Sequence, residues 1–293
     1  MRFKKSYLFS MAIVFALALT AGTAVGQTSS GESRFAKLDE TRIHYINYGK
    51  GEEALVLIHG WTQSADAWRD NVGDLTKRNR VIVLELPGHG QSDKPQTTYS
   101  MDYFARAVDV VMRDAKVKRA VLVGHSMGTP VARQFYRKYP KKILGIVIVD
   151  GSLRPFGDKA VMDQMMAGFR GPQYRDAVSQ MMAFISGPNL STELKQRINA
   201  ASMNTPQHVL VSAFEGMLDD SIWGEDKINI PVLAIMAKTA LLPPNAEESF
   251  RAIAPKLDFQ IFDGVGHFLM MEKPKEFDAA MIAWLNKNSL LNQ

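Results

Sequence analysis

Apolar residues recur along this chain in two rhythms. Largely apolar runs over 54–58, 81–86 (interrupted only by Glu85), 120–123, 143–149 and 231–236 have the length and composition of strands covered on both faces. Stretches 34–38 and 42–48, separated by the turn-forming pair Asp39-Glu40, predict an N-terminal hairpin, and 258–262 predicts a last strand. Between these runs, apolar residues spaced by three and four predict helices over 66–77, 99–115, 129–139, 246–253 and 275–287. Strand and helix alternate in a way that right-handed βαβ connections turn into a doubly wound, mostly parallel sheet of the α/β class.

The alternation stops after Gly151. Residues 152–226 hold no β run, but four amphipathic stretches, 158–169, 173–185, 192–203 and 206–218. An all-helical insertion between two sheet strands predicts a cap over one α/β core made of residues 27–151 and 227–293. The cap carries Met162, Met165, Met166, Met181, Met182, Met203 and Met217. These flexible, polarizable side chains suit both helix packing and an adaptable apolar pocket, and packing is the expectation for most of them.

The first residues follow a different pattern. Arg2, Lys4 and Lys5 precede an almost wholly apolar run over 7–19, and Ala24-Val25-Gly26 places small residues directly after it. That is the layout of a secretory signal peptide over 1–26, cut near Gly26, in a run shorter than the ~20 residues of a spanning helix. The expectation is an exported protein, periplasmic or secreted, with no stable membrane anchoring after cleavage. It also revises the charge: three of the net +5 belong to the leader, leaving +2. So small a surplus, with no basic cluster interleaved with aromatics, gives no case for nucleic acid. With no cysteine there is no disulfide or thiol chemistry, and no Cys/His spacing suits a metal. No cofactor is implied.

The candidate chemistry lies in glycine-flanked turns after the apolar runs. Gly124-His125-Ser126-Met127-Gly128 follows one run and opens a helix, the strand–turn–helix setting of a nucleophile elbow. Glycines at both ends allow the sharp turn that exposes the serine hydroxyl; the simpler alternative is that Ser126 only caps the helix. His59-Gly60-Trp61 ends an earlier run, where a backbone N–H can turn towards the serine. The N–H groups of Trp61 and Met127 are the expected oxyanion hole. Pro87-Gly88-His89-Gly90-Gln91-Ser92-Asp93 lacks both the third glycine and the Gly-Lys-Ser/Thr of phosphate-binding loops, and reads as a tight turn. His44 and His208 are expected to be surface or packing residues.

In this order His59-Gly60-Trp61, Gly88-His89-Gly90-Gln91-Ser92, the elbow and Gly266-His267-Phe268 resemble the α/β-hydrolase superfamily over nearly all of the mature chain. The likeness is to the branch of small serine esterases, carbon–carbon bond hydrolases and cofactor-free haloperoxidases. It implies an α/β-hydrolase fold with Ser126 as nucleophile and His267 as base, since a serine hydroxyl needs a base and the base needs an orienting carboxylate. In much of the superfamily that carboxylate follows the penultimate strand, but here Ala237-Lys238-Thr239-Ala240-Leu241-Leu242 has none before Glu247. Some relatives carry the acid one strand earlier, where this chain has Asp150. Asp150 is therefore the expected acid, with a strand-end cap as its alternative role. Asp263 is expected to point elsewhere, and Glu85, where relatives show aspartate, to be structural. Trp61, Phe268 and Met270 are expected to contact substrate, with Met271 beside them at an apolar rim. The resemblance implies a small-molecule acyl substrate, most simply a carboxylic ester. A lactonase, a carbon–carbon hydrolase or a perhydrolase would use the same residues, and a binding protein on a hydrolase scaffold would use none of them. Dehalogenases and epoxide hydrolases need a carboxylate where Ser126 stands.

Overall fold

In chain order the strands are β1 (Glu32–Leu38), β2 (Thr41–Tyr48), β3 (Glu53–Ile58), β4 (Val81–Leu84), β5 (Arg119–His125), β6 (Ile143–Val149), β7 (Val232–Ala237) and β8 (Leu257–Phe262). They belong to a computed structural model that describes residues 30–187 and 189–291, so the expected leader lies outside it. The strands form one sheet in the order β1-β2-β4-β3-β5-β6-β7-β8. β1 pairs with β2 and β2 with β4 antiparallel, and every later pairing is parallel. β3 to β7 are the unbroken apolar runs, and nearly all their residues are buried, as expected when helices cover both faces.

Register places the site. Ile58, Gly124, Ile148 and Ala234 lie side by side across β3, β5, β6 and β7. Two residues beyond this row come Gly60, Ser126, Asp150 and Met236, all at the carboxyl edge of the sheet. The chain runs from β3 outward to β4 and then back past β3 to β5, so this edge includes a topological switch point, where open α/β sheets form their ligand crevices.

The helices are α1 (Val72–Leu75), α2 (Met101–Asp114), α3 (Gly128–Lys138), α4 (Lys159–Arg170), α5 (Tyr174–Ile185), α6 (Thr192–Met203), α7 (Gln207–Leu218), α8 (Ala246–Ile253), α9 (Leu269–Glu272) and α10 (Pro274–Lys287). α4 to α7 lie between β6 and β7 and pack on one another, with α7 also meeting α2. Arg133 of α3, fully buried, holds both ends of this insertion. Its guanidinium donates to the Leu153 carbonyl (2.8 Å), to the Gly224 carbonyl and to Asp226 Oδ1 (3.2 Å).

Two sequence expectations change. The helix expected over 66–77 is a 3-10 turn, Ala65–Trp68, followed by the single turn of α1. Asn71 between them is drawn into tertiary bonds instead, its Nδ2 donating to Met270 O (3.1 Å) and Asp278 Oδ1 (3.0 Å). The strand expected over 81–86 stops at Leu84, where the Glu85 carboxylate turns to bond the loops on either side.

The Asn71–Asp278 pair has a pH consequence. Asp278 Oδ2 and Asn71 Oδ1 are both buried without partners, and burial, then the nearby Asp74 charge, push the Asp278 carboxyl up to about 7 despite the Asn71 bond. The folded state therefore favours the protonated acid. This stabilisation is complete below the ordinary carboxyl value near 4 and is lost as pH rises through about 7. Asp278→Asn should stabilise the fold at pH 8 by on the order of 2–4 kcal/mol in urea unfolding and flatten the fall in stability between pH 5 and 8. An unchanged slope in the variant would refute this account.

Candidate active site

The turn after β5 is built for close backbone approach. A Cβ on Gly124 would lie 2.4 Å from Gly128 O, and one on Gly128 would lie 2.6 Å from Ile58 O, so neither position admits a side chain. Between them Ser126 has φ +50°, a left-handed conformation that a non-glycine residue holds only under constraint. The constraint comes from both sides: Ser126 N–H donates to Val149 O of β6 (3.0 Å), and Thr129 N–H donates back to Ser126 O (2.9 Å). Ser126 is the only residue between 120 and 133 that is not buried.

Asp150 has a similar setting, with φ +42° at the end of β6 and its N–H donating to Ile235 O (2.9 Å). Its carboxylate faces two donors. Oδ1 accepts the Ala237 N–H (2.8 Å), and Oδ2 lies 2.7 Å from His267 Nδ1. A carboxylate accepts only, so His267 carries its proton on Nδ1 and leaves Nε2 as the basic nitrogen. Ser126 and His267 line the same cavity, with no hydrogen bond between them. His267 is held at its backbone as well: its N–H donates to Ile185 O at the end of α5 (3.1 Å), and its carbonyl accepts from His125 Nε2 (2.8 Å). Of the other acids nearby, Asp263 bonds Lys238 (2.9 Å), Glu247 bonds Arg251 (2.6 Å), and Glu272 Oε1 accepts the Gly266 N–H (2.9 Å).

The loop after β3 reaches the serine, for a Cβ on Gly60 would lie 3.2 Å from Ser126 Cβ. Neither the Trp61 N–H nor the Met127 N–H donates to another group among the described residues. The Trp61 side chain joins core to insertion, its Nε1 donating to Leu210 O (2.8 Å) and its ring packing on Phe169 and Phe214.

Around these groups lies a cavity of about 470 Å³ with walls from both the sheet edge and the insertion. Trp61 and Phe268 line it. Met270 does not: it is fully buried on α9, beside the equally enclosed Met271, because the short helix turns both away from the cavity. The expectation of a contact at Met270 is corrected accordingly. Of the seven methionines of the insertion, Met181, Met182 and Met217 face the cavity. Sequence reasoning did not single out Phe156, Trp223, Leu242, Asn245 or Phe250, which also line it. Only long-range packing brings these together, and no local pattern marks them.

Two of the surrounding histidines, His59 and His89, are kept neutral. Burial pushes His59 down; its Nδ1 donates to Gly60 O (2.8 Å) and its Nε2 accepts from Leu86 N–H (3.0 Å). Burial and its neighbour His59 push His89 down to about 3. His44, expected as a surface or packing residue, is instead a link in a buried polar chain, between Ser33 Oγ (2.8 Å) and Glu85 Oε2 (2.9 Å). Burial pushes the Glu85 carboxyl up, but the bonds from His44, Gln91 N–H and Ala65 N–H outweigh it and hold it below the ordinary range. The carboxylate fills the space where Gly90 has no side chain and so fixes the turn beneath the site.

Comparison with known proteins agrees with this architecture. The sequence profile of the alpha/beta hydrolase fold matches residues 53–274. The dihydrolipoyllysine-residue acetyltransferase component of the acetoin cleaving system of Cupriavidus necator is 26% identical over 270 residues, covering 89% of this chain and 71% of that protein. A 2-hydroxy-6-oxononadienedioate/2-hydroxy-6-oxononatrienedioate hydrolase of Paraburkholderia phymatum is 25% identical over 287 residues, covering 90% and 99%. Among solved structures, an esterase from Exiguobacterium antarcticum superposes with a TM-score of 0.79 at 17% identity, over 87% of this chain and 100% of its own. That likeness speaks for the fold.

Proposed function

The chain belongs to the α/β-hydrolase fold family, and from that premise we propose that it is an exported serine hydrolase that cleaves a carboxylic ester or related acyl compound through an acyl-enzyme. The observation that carries this proposal is the 2.7 Å bond between His267 Nδ1 and Asp150 Oδ2, at the wall of a cavity that Ser126 shares.

Ser126 Oγ attacks the carbonyl carbon while His267 Nε2 takes its proton, and Asp150 stabilises the imidazolium that results. The oxyanion that develops is met by the Trp61 and Met127 N–H groups, whose lack of other partners suits the role. Collapse of the tetrahedral intermediate expels the alcohol, which takes the proton from His267 and leaves Ser126 acylated. Water then enters by the same base and releases the acid. The bond between Ser126 and His267 that is open here belongs to the substrate complex, where such contacts tighten. The apolar cavity walls favour an acyl or aromatic group.

One experiment tests both halves of the proposal. Protein recovered from the exported fraction is sequenced from its N-terminus, then assayed on chromogenic acyl esters of graded chain length and on lactones, and treated with a fluorophosphonate. A start near Gln27, ester turnover and covalent labelling are expected. A start at Met1 would overturn export, and folded protein that neither turns over nor labels would be a binder on a hydrolase scaffold.

A further inference from the structure

We propose that His125 is a positioning residue that fixes the backbone of His267 and thereby the reach of its imidazole; the proposal rests on the catalytic role given to His267 above. The His125 ring is closed off from solvent, at 1% exposure, and its Nε2 lies 2.8 Å from the His267 carbonyl oxygen. A carbonyl can only accept, so Nε2 carries the proton and Nδ1 is left as a bare acceptor. Nδ1 is buried without a partner and faces Gly60, whose missing side chain makes the room: a Cβ there would lie 2.8 Å from it.

An orphaned buried acceptor costs stability, and an apolar side chain of similar size would avoid that cost. What only a donor of this length supplies is the bond to His267. Burial and the neighbouring His267 push the His125 imidazole well below its ordinary value, so it remains a neutral donor when His267 becomes charged. The ring also packs on those of His267 and Phe268, with centroids 4.7 and 5.3 Å away. The peptide groups of His267 are thus held on one side by Ile185 of the insertion and on the other by the elbow that carries the nucleophile. Elbow and base are tied directly together, and a displacement of the base by even 1 Å costs about 100-fold in rate.

The test compares three variants on the best ester substrate. His125→Leu removes the donor and should lower kcat by about 10–100-fold. Its KM should stay within about threefold and its thermal midpoint should change little, because the orphaned Nδ1 disappears as the His267 carbonyl loses its donor. His125→Gln keeps an N–H of similar reach and should restore kcat to within about threefold of wild type. His125→Asn, polar but too short to reach the carbonyl, should resemble the leucine variant, and it decides the matter if leucine does not fold. Wild-type kcat in the leucine or asparagine variant, or equal losses in leucine and glutamine, would overturn the proposal. Should His267→Ala retain full turnover, the catalytic role of His267 fails instead, a distinct outcome.

Discussion

Ser126→Ala should lower kcat by about 10⁵-fold and abolish fluorophosphonate labelling, with KM and thermal stability close to wild type. The size of the loss follows from the division of labour at the site. In the proposed mechanism the serine alone supplies the atom that becomes covalently bound, and no other residue between 120 and 133 reaches the surface. The cavity and the two unengaged N–H groups survive the change, so substrate still binds and some polarisation of its carbonyl remains. Alanine also suits the enclosure around Ser126, although it bears the same left-handed φ of +50°. A variant that keeps its rate would mean that another group is the nucleophile.

Asp150→Asn should cost about 10³–10⁴-fold in kcat while the fold survives. Asp150 Oδ1 accepts the Ala237 N–H, so an asparagine there must place its amide oxygen towards Ala237 and its NH₂ towards His267. The reverse orientation would set two donors against each other. Facing an NH₂, His267 Nδ1 becomes the acceptor, its proton moves to Nε2, and the nitrogen meant to take the Ser126 proton already holds one. Asparagine tolerates positive φ, so the strained turn at φ +42° should persist. Steady-state kinetics beside circular dichroism would check this, and unchanged turnover would remove Asp150 from the mechanism.

Much of this arrangement was legible in the sequence, for reasons that also mark where it was not. β3 to β7 are buried on both faces, which demands unbroken apolar runs, and such runs are visible in one dimension. The elbow was visible because its geometry forbids side chains at Gly124 and Gly128. The segment over 66–77 was misread because Asn71 is committed to Asp278 and Met270, some two hundred residues away, a tertiary demand that helical spacing cannot carry. Met270 was misplaced because the single turn of α9 directs Phe268 and Met270 to different surroundings. The cavity walls over 239–250 could not be read at all, since their shared site exists only once β7, α8 and the insertion meet.

The N–H that Ala237 donates to Asp150 is one that any residue except proline could provide. With Asp150, just after β6, as the proposed acid, the side chains after β7 owe nothing to proton transfer, yet Thr239, Leu241, Leu242, Pro243 and Asn245 stand along the cavity. On the proposed triad, rate and selectivity are written in separate stretches of chain. A library randomised over 239–245 could be searched for new substrates with the catalytic constellation left untouched, a freedom denied to hydrolases whose acid occupies that same loop.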